Sequence, residues 1–216
     1  MLLRPNERAK LDDTDDNQFY VEPRFVTHVD PGFIQQLTDL YRLHLKPQMR
    51  ILDLMSSWVS HLPEEIEFAH VEGHGLNASE LARNPRLDHY FVQNLNANQK
   101  LPLADAEFDA VINCVSVQYL QYPEAVFTEI HRILKPGGIA IISFSNRMFY
   151  QKAIQAWREG SEPQRVELVK SYFQSVPGFT SIEAVSRSSA PSFLQWFGAG
   201  GGDPFYAVIA KRPEAD

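Results

Sequence analysis

LPLADAEFDAVINCVSVQYLQYPEAVFTEIHRILKPGGIAIISF, residues 101–144, contains the pattern that decides the fold of this 216-residue chain. An apolar run at 108–114 is followed by apolar residues that recur at helical spacing through 123–135. The sequence KPGG then ends the helix abruptly before a second apolar run at 138–144. A strand, a helix and a strand in this order predict a parallel β-α-β unit.

The same alternation continues on both sides of this unit. A helix is expected from Pro31, with Asp30 as its N-cap. The segments PGFTSIEAVSR and DPFYAVIAKR, joined by a loop that contains GAGGGD, are expected to close the sheet as an antiparallel pair. The fold class is therefore α/β, a mostly parallel seven-stranded sheet with helices on both faces. Periodicity predicts further strands at 50–54, 66–71 and 90–92, and further helices at 77–84, 147–159 and 162–174.

Composition favours one globular domain, because 44% of the residues are hydrophobic and 22% are charged. The net charge of −7 argues against nucleic acid and anionic membranes as partners. The single cysteine, Cys114, lies in an apolar run and is expected to be a buried thiol in a reducing cytosol. No long apolar run or charged leader is present, so we expect a soluble, cytoplasmic protein. Residues 1–30 are expected to form a flexible N-terminal segment or lid, and residues 31–216 a single domain.

The segment ILDLMSSWVSHLP, residues 51–63, reads as a strand that ends at Asp53, followed by a tight turn into a helix. Ligand-binding turns at this place usually contain glycine, which lets the backbone approach the ligand. In an open parallel sheet, ligands bind outside the carboxyl ends of the strands, near the switch in strand order. Four segments are expected to converge there: 53–58, 72–77, 94–96 and 113–116.

Residues 101–144 closely resemble the second half of class I S-adenosylmethionine-dependent methyltransferases, especially the type 11 and ubiquinone-biosynthesis enzymes that act on small molecules. The shared elements are an LPF-like start (LPL), an acidic loop, the strand FDAV, a helix that ends in RILKPGG, and an apolar strand. A weaker resemblance extends from about residue 48 to 211. It implies a Rossmann-like methyltransferase domain, S-adenosylmethionine as the cofactor and a small-molecule substrate.

The resemblance also implies which residues form the site. The four converging segments would face the methionine moiety, the ribose, the adenine edge and the floor of the cleft. Tyr119 is the preferred catalytic candidate, and the candidates for substrate contact are Tyr20, His28, Gln118 and Asn146. Trp58 is a candidate for contact with the sulfonium. The implied cofactor-binding residues are Asp53, Met55, Ser56, Ser57, Gly73, Gly75, Leu76, Asn77, Asn94, Leu95, Asn113 and Val115.

The chain departs from the family pattern in the first two segments. The usual glycine positions fall at Met55, Ser57 and Val59, and a left-handed backbone there costs about 1 to 2 kcal/mol per residue unless the turn takes another route. The usual ribose-binding carboxylate falls at Gly75. Either Asn77 or Glu72 is expected to replace it in part, and an aspartate introduced at position 75 is expected to tighten cofactor binding.

Several alternatives remain open at the level of sequence. Asp53, Ser56 and Ser57 have an alternative role as caps of the following turn. The histidines at 61, 70 and 74 match no compact zinc pattern, so no metal is predicted. The alternative function is that of a binding or scaffolding protein that has lost turnover, and a third possibility is that the lid and the closing strands form a protein-protein surface. Sequence selects neither a methyl acceptor nor an oligomeric state.

Overall fold

A computed structural model describes residues 2–187 and 202–214 of the chain. These residues form one seven-stranded sheet in the order β3-β2-β1-β4-β5-β7-β6. Strands β1 to β5 are parallel, and β7 pairs antiparallel with both β5 and β6, which confirms the predicted fold class. The strands are β1 (Arg50–Leu54), β2 (His70–Gly75), β3 (His89–Val92), β4 (Phe108–Cys114), β5 (Leu134–Phe144), β6 (Thr180–Arg187) and β7 (Phe205–Lys211).

Helices cover both faces of the sheet. Along each central strand, successive side chains alternate between two hydrophobic clusters, so that Leu52 packs toward α4 and α6 while Ile51 packs toward α2. Helix α2 begins as predicted, because the side chain of Asp30 accepts a hydrogen bond from the backbone N–H of Phe33. The helices are α1 (Asp16–Phe19), α2 (Pro31–His44), α3 (Ala78–Leu81), α4 (Pro123–Ile133), α5 (Gln155–Glu159) and α6 (Glu162–Gln174).

Helix α3 is shorter than the predicted 77–84, β5 begins four residues before the predicted 138, and three further elements differ more. Strand β2 lies four residues later than predicted, because its register with β1 pairs His70 with Arg50 and His74 with Leu54. No helix follows Asp53, since residues 55–69 form a loop. Only the last part of the helix predicted at 147–159 forms, and the residues before it are turns that border the cleft described below. The apolar residues of this segment recur at helical spacing, and that pattern alone does not distinguish a helix from turns at the edge of the cleft.

The N-terminal segment packs against the rest of the chain. Leu3 is buried in the main hydrophobic cluster, and the guanidinium of Arg8 pairs with Glu124 of α4. The ammonium group of Lys152, which is fully buried, bonds to the carbonyl oxygen of Thr14 at 2.7 Å. These contacts hold residues 3–16 beside the carboxyl ends of the strands. Residues 198–201 of the GAGGGD loop lie outside the described residues, and among the described helices none is long and apolar enough to cross a membrane.

Candidate functional site

A cleft of about 310 Å³ lies at the carboxyl ends of the strands. It is centred on the switch point, where β1 has β2 on one side and β4 on the other. Its walls come from the strand ends, from the N-terminal segment and from the turns after β5. Its lining includes Tyr20, Arg24, His28, Asp53, Met55, Ser56, Ser57, His74, Gly75, Leu76, Asn77, Glu80, Asn94, Leu95, Val115, Tyr119 and Phe149.

The turn after β1 contains a left-handed residue that is not glycine. Met55 has φ 59°, and its backbone N–H donates to Nδ1 of His74 at 3.1 Å. The Nε2–H of His74 donates to the carbonyl oxygen of Gln93 at 2.9 Å, and burial lowers the pKa of this imidazole to about 4. His74 is therefore neutral at pH 7 and accepts at Nδ1. Neither Ser57 nor Val59 has a positive φ, so the rest of the turn takes a different route.

A second strained residue lies across the switch point from Met55. Val115 follows β4 with φ 43°, although a β-branched residue is a genuine outlier in this region. Its backbone N–H is fixed by the carbonyl oxygen of Ser143 on β5 at 2.8 Å. Strain of this kind costs about 1 to 3 kcal/mol and is concentrated at ligand sites. Both strained residues line the cleft.

Asp53 is a buried carboxyl group at the end of β1. It accepts a hydrogen bond from Oγ of Ser56 at 2.6 Å. Burial raises its pKa to about 6, while hydrogen bonds from Ser56 and Ser60 act in the opposite direction. This contact ties the loop to the strand end, as expected for the capping alternative, and it also leaves Asp53 on the cleft wall.

On the side of the cleft that was expected to face the ribose, Gly75, Asn77 and Glu72 are each constrained by their surroundings. A Cβ atom on Gly75 would lie 2.6 Å from the carbonyl oxygen of Ser56, so an aspartate at this position would clash with backbone. Asn77 is the N-cap of α3, and its amide group donates to the carbonyl oxygens of Tyr20 and Val21. Glu72 lies outside the cleft lining and bonds to His70 and His89. Neither Asn77 nor Glu72 is therefore available as the substitute carboxylate.

Glu80 is the carboxylate that the structure brings to this wall. It lies in the first turn of α3 and is only 8% exposed. Its Oε2 accepts from Oγ of Ser57 at 2.6 Å, and its Oε1 accepts from the backbone N–H of Arg24 at 2.7 Å. Its place in the sequence gives no functional signal, because a glutamate in the first turn of a helix is an ordinary feature.

The opposite end of the cleft is the predicted adenine side, with Asn94 and Leu95 in its wall. The side-chain oxygen of Asn94 accepts from the backbone N–H of Asn96 at 2.9 Å, and its amide group donates to Asp15 at 3.2 Å. Leu95 is buried in the main hydrophobic cluster. The hydrogen bond from Asn94 to Asp15 links the predicted adenine side to the N-terminal segment.

The remaining wall is aromatic. The guanidinium carbon of Arg24 lies 4.6 Å from the ring centroid of Phe19 and 5.2 Å from that of Phe149. Nη2 of Arg24 donates to the carbonyl oxygen of Phe19, whereas Nη1 is buried with no hydrogen-bond partner among the described residues. The ring of Tyr119 stacks on Phe149, with 6.1 Å between the centroids.

The hydroxyl oxygen of Tyr119 accepts from the backbone N–H of Phe149 at 2.8 Å. Burial raises the pKa of this phenol to about 12, so the group is neutral at pH 7. It lines the cleft as predicted, but in this state it is a wall and a hydrogen-bonding group rather than a base.

Only some of the other predicted residues lie in the cleft lining. Tyr20, His28, Ser56 and Leu76 are in the cleft lining. Five predicted residues lie outside that lining: Trp58, Gly73, Asn113, Gln118 and Asn146.

Each of the five has a local reason. Gly73 pairs with Asp53 and Tyr90 inside the sheet, two residues before β2 ends. Asn113 fastens two strand ends by donating to the carbonyl oxygen of Leu54, and Gln118 is buried and donates to that of Val115. Asn146 is exposed, and the indole N–H of Trp58 donates to the carbonyl oxygen of Val26.

Arg24 and Phe149 were not predicted as parts of the cleft, whereas His74 lies in the segment 72–77 that was expected to converge there. Phe149 was assigned to a helix. The pattern around Arg24 contained no signal, because an arginine in a polar segment is ordinarily solvated. The described residues contain no group of three or more histidine, cysteine, aspartate or glutamate side chains arranged to hold a metal ion.

Comparison with known proteins agrees with this geometry. The family profile described as "Methyltransferase domain" matches residues 68–142. The malonyl-[acyl-carrier protein] O-methyltransferase of Enterobacter lignolyticus is 31% identical over 80 residues, which are 37% of this chain and 31% of that protein. The matches to the first two curated relatives cover only 16% and 31% of their lengths.

Solved structures share the fold at low sequence identity. Phosphoethanolamine N-methyltransferase 2 of Haemonchus contortus, in complex with S-adenosyl-L-methionine, has a TM-score of 0.56 and 19% identity, over 83% of this chain and 52% of that one. The [4+2]-cyclase SpnF has a TM-score of 0.58 and 17% identity, over 83% and 81% of the two chains. Proteins described by different reactions thus share this architecture, so the reaction must be argued from the site.

Proposed function

We propose that the chain is a class I S-adenosylmethionine-dependent methyltransferase, which transfers a methyl group from S-adenosylmethionine to a small molecule held in the same cleft. The observation that carries this proposal is the cleft itself, which opens at the switch point between β1 and β4 and is walled by the strand ends. Parallel sheets of this kind bind their ligands at that place.

The residues present fit this cofactor at several points. Asp53 and Ser56 would hold the methionine side, Asn94 and Leu95 the adenine side, and Val115 the floor. Two buried polar groups on the wall have unused bonding capacity, namely Nη1 of Arg24 and the carboxylate of Glu80. A buried polar atom without a partner, such as Nη1 of Arg24, supports a ligand as its missing partner.

S-adenosylmethionine supplies a methyl group on a positively charged sulfur atom. The protein then has to align the acceptor atom with that methyl group and exclude water, and a catalytic base is optional. The aromatic wall of Tyr20, Tyr119 and Phe149 serves both purposes, because its rings are held rigidly by packing and by the hydrogen bond to Tyr119.

Calorimetric titration of the full chain with S-adenosylmethionine and with S-adenosylhomocysteine tests the proposal. We expect saturable binding of both, and the absence of binding at millimolar concentration would overturn the enzyme hypothesis. Mass spectrometry of small-molecule extracts incubated with the protein and isotopically labelled cofactor then tests turnover. Binding without labelled product would favour the alternative of a binding protein that has lost activity.

A matched pair of variants locates the cofactor. Asn94→Ala removes an amide on the proposed adenine side and is expected to weaken binding about threefold to tenfold, which corresponds to the loss of one neutral hydrogen bond. Asn98→Ala removes the same group from an exposed position and is expected to leave affinity unchanged. Equal affinities for the two variants would contradict the adenine placement.

A further inference from the structure

Glu80 is a buried carboxylate without a cationic partner. Only 8% of the residue is exposed, and within the described part of the chain no salt bridge involves it. Glutamate is almost never buried in this way unless its charge is compensated. Its partners here are the hydroxyl of Ser57 and one backbone N–H, at residue 24.

These two hydrogen bonds leave part of the acceptor capacity of the carboxylate unused. Each oxygen accepts one bond in the structure, whereas an ionised carboxylate has about four acceptor sites. Glu80 also lines the cleft, so a molecule bound there lies beside this residue and its unused acceptor sites. A molecule that completes them must donate hydrogen bonds, as a pair of hydroxyl groups does.

The other carboxylates of the cleft, Asp16 and Asp53, have different partners. Asp16 is paired with the ammonium group of Lys10 at 2.7 Å and lies 3.5 Å from that of Lys152. Asp53 lies at the end of β1 and bonds to Ser56. At the end of β2, the backbone of Ser56 leaves no space for a side chain on Gly75.

We propose that Glu80 accepts the ribose hydroxyl groups of S-adenosylmethionine, and that recognition of the ribose has moved from the end of β2 to the first turn of α3. This inference rests on the proposed function. Ser57 is then a positioning residue, because the side chain at a usual glycine position donates to Glu80 and fixes its orientation. The lack of space for a side chain at Gly75 and the hydrogen bond from Ser57 to Glu80 thus belong to the same rearranged ribose site.

The test compares Glu80→Gln with the unchanged protein by calorimetry, using S-adenosylhomocysteine and its 2′,3′-dideoxy analogue. Glu80→Gln keeps the size of the side chain and removes its charge. We expect the variant to bind S-adenosylhomocysteine about 10- to 100-fold more weakly, which is the effect of losing charged hydrogen bonds. The unchanged protein should discriminate against the dideoxy analogue by a similar factor, and the variant should discriminate much less. Glu67→Gln, at an exposed position before β2, is the matched control and should behave like the unchanged protein.

The outcomes separate this inference from the function on which it rests. If the unchanged protein does not bind S-adenosylhomocysteine, the proposed function fails. If it binds S-adenosylhomocysteine and the dideoxy analogue equally, the inference about Glu80 is overturned without any variant. If Glu80→Gln retains the discrimination of the unchanged protein, the inference is also overturned. Ser57→Ala is expected to reduce the same discrimination by a smaller factor, and thermal unfolding checks that each variant is folded.

Discussion

Two regions of this molecule meet at the switch point and differ in how closely they follow the family pattern. Residues 108–144, which comprise β4, α4 and β5, keep the family's order of strand, helix, KPGG and strand. Residues 53–61 and 74–80, here called the divergent crossing, lack its glycines and its ribose carboxylate. The first region is held by buried apolar packing of Phe108, Ile130 and Leu134. The second is held by polar bonds that link β1, β2 and α3.

The contrast shows that the divergent crossing was rebuilt and did not merely lose its contacts. His74 supports the left-handed Met55, Ser56 bonds to Asp53, and Ser57 bonds to Glu80. Ser57, at one of the usual glycine positions, bonds to Glu80 through its side chain, and the cleft remains. Mutations in the first region should therefore affect mainly the stability of the fold, whereas those in the crossing should show pH-dependent and local effects.

The largest expected effect lies in the family-like region. Phe127→Ala removes a fully buried ring of α4 that contacts Phe173 and Tyr172 of α6 at centroid distances of 4.7 and 5.4 Å. We expect a loss of about 3 to 5 kcal/mol in the free energy of unfolding, measured with urea. Thr128→Ala, at the next and exposed position of the same helix, should change it by less than about 0.5 kcal/mol. A small loss for Phe127→Ala would mean that this packing does not carry the stability.

The next effect concerns Asp53 and depends on pH. Its folded-state pKa of about 6 lies above the ordinary 3.8, so the folded protein binds the proton more tightly than the unfolded chain. The stabilisation from the protonated carboxyl is complete below about pH 4 and is lost as the pH rises through 6. Asp53→Asn should therefore stabilise the fold more at pH 8 than at pH 4, by up to about 3 kcal/mol.

Urea unfolding at the two pH values measures this difference. Asp13→Asn, at an exposed position, is the control for the general effect of removing one negative charge. Equal effects of Asp53→Asn at both pH values would show that the carboxyl is not desolvated in the folded protein.

A smaller effect is expected at Gly75. In Gly75→Ala, the added Cβ meets the carbonyl oxygen of Ser56 at 2.6 Å, and backbone has to move to accommodate it. The expected loss is about 1 to 3 kcal/mol in the free energy of unfolding. Gly32→Ala, in the first turn of α2, has its nearest contact at 3.3 Å and should be tolerated. If Gly75→Ala is as stable as the unchanged protein, the turn at Ser56 is more adaptable than its hydrogen bonds indicate.

The smallest effect is expected at Met55. Replacement by glycine relieves a left-handed backbone that costs about 1 to 2 kcal/mol, and it also removes a partly buried side chain. Because these terms oppose each other, we expect a net change below about 1 kcal/mol in chemical unfolding. Leu54→Ala, one residue earlier and fully buried, should cost about 2 to 5 kcal/mol. Similar losses for the two variants would show that the backbone at Met55 is not strained.

Much of the fold was predictable because the relevant signals are local. Strands β1 and β4 and the cap of α2 follow from apolar runs and from a proline after an aspartate. The place of the cleft was also predictable, since strand order and direction bring particular strand ends together. The register of β2 was not, because residues 66–71 and 70–75 are both plausible strands and only pairing with β1 selects between them.

The sequence by itself determined the class of fold, the family resemblance and the edge of the sheet at which the cleft opens. These follow from periodicity and from the order of elements, which are properties of neighbouring residues. The tertiary structure alone decided that position 75 cannot bear a side chain, that Asn77 is used as a cap and that Glu80 faces the cleft. Those facts depend on distances between segments far apart in the chain, such as the 2.7 Å between Glu80 and the backbone of Arg24, and no local pattern encodes them.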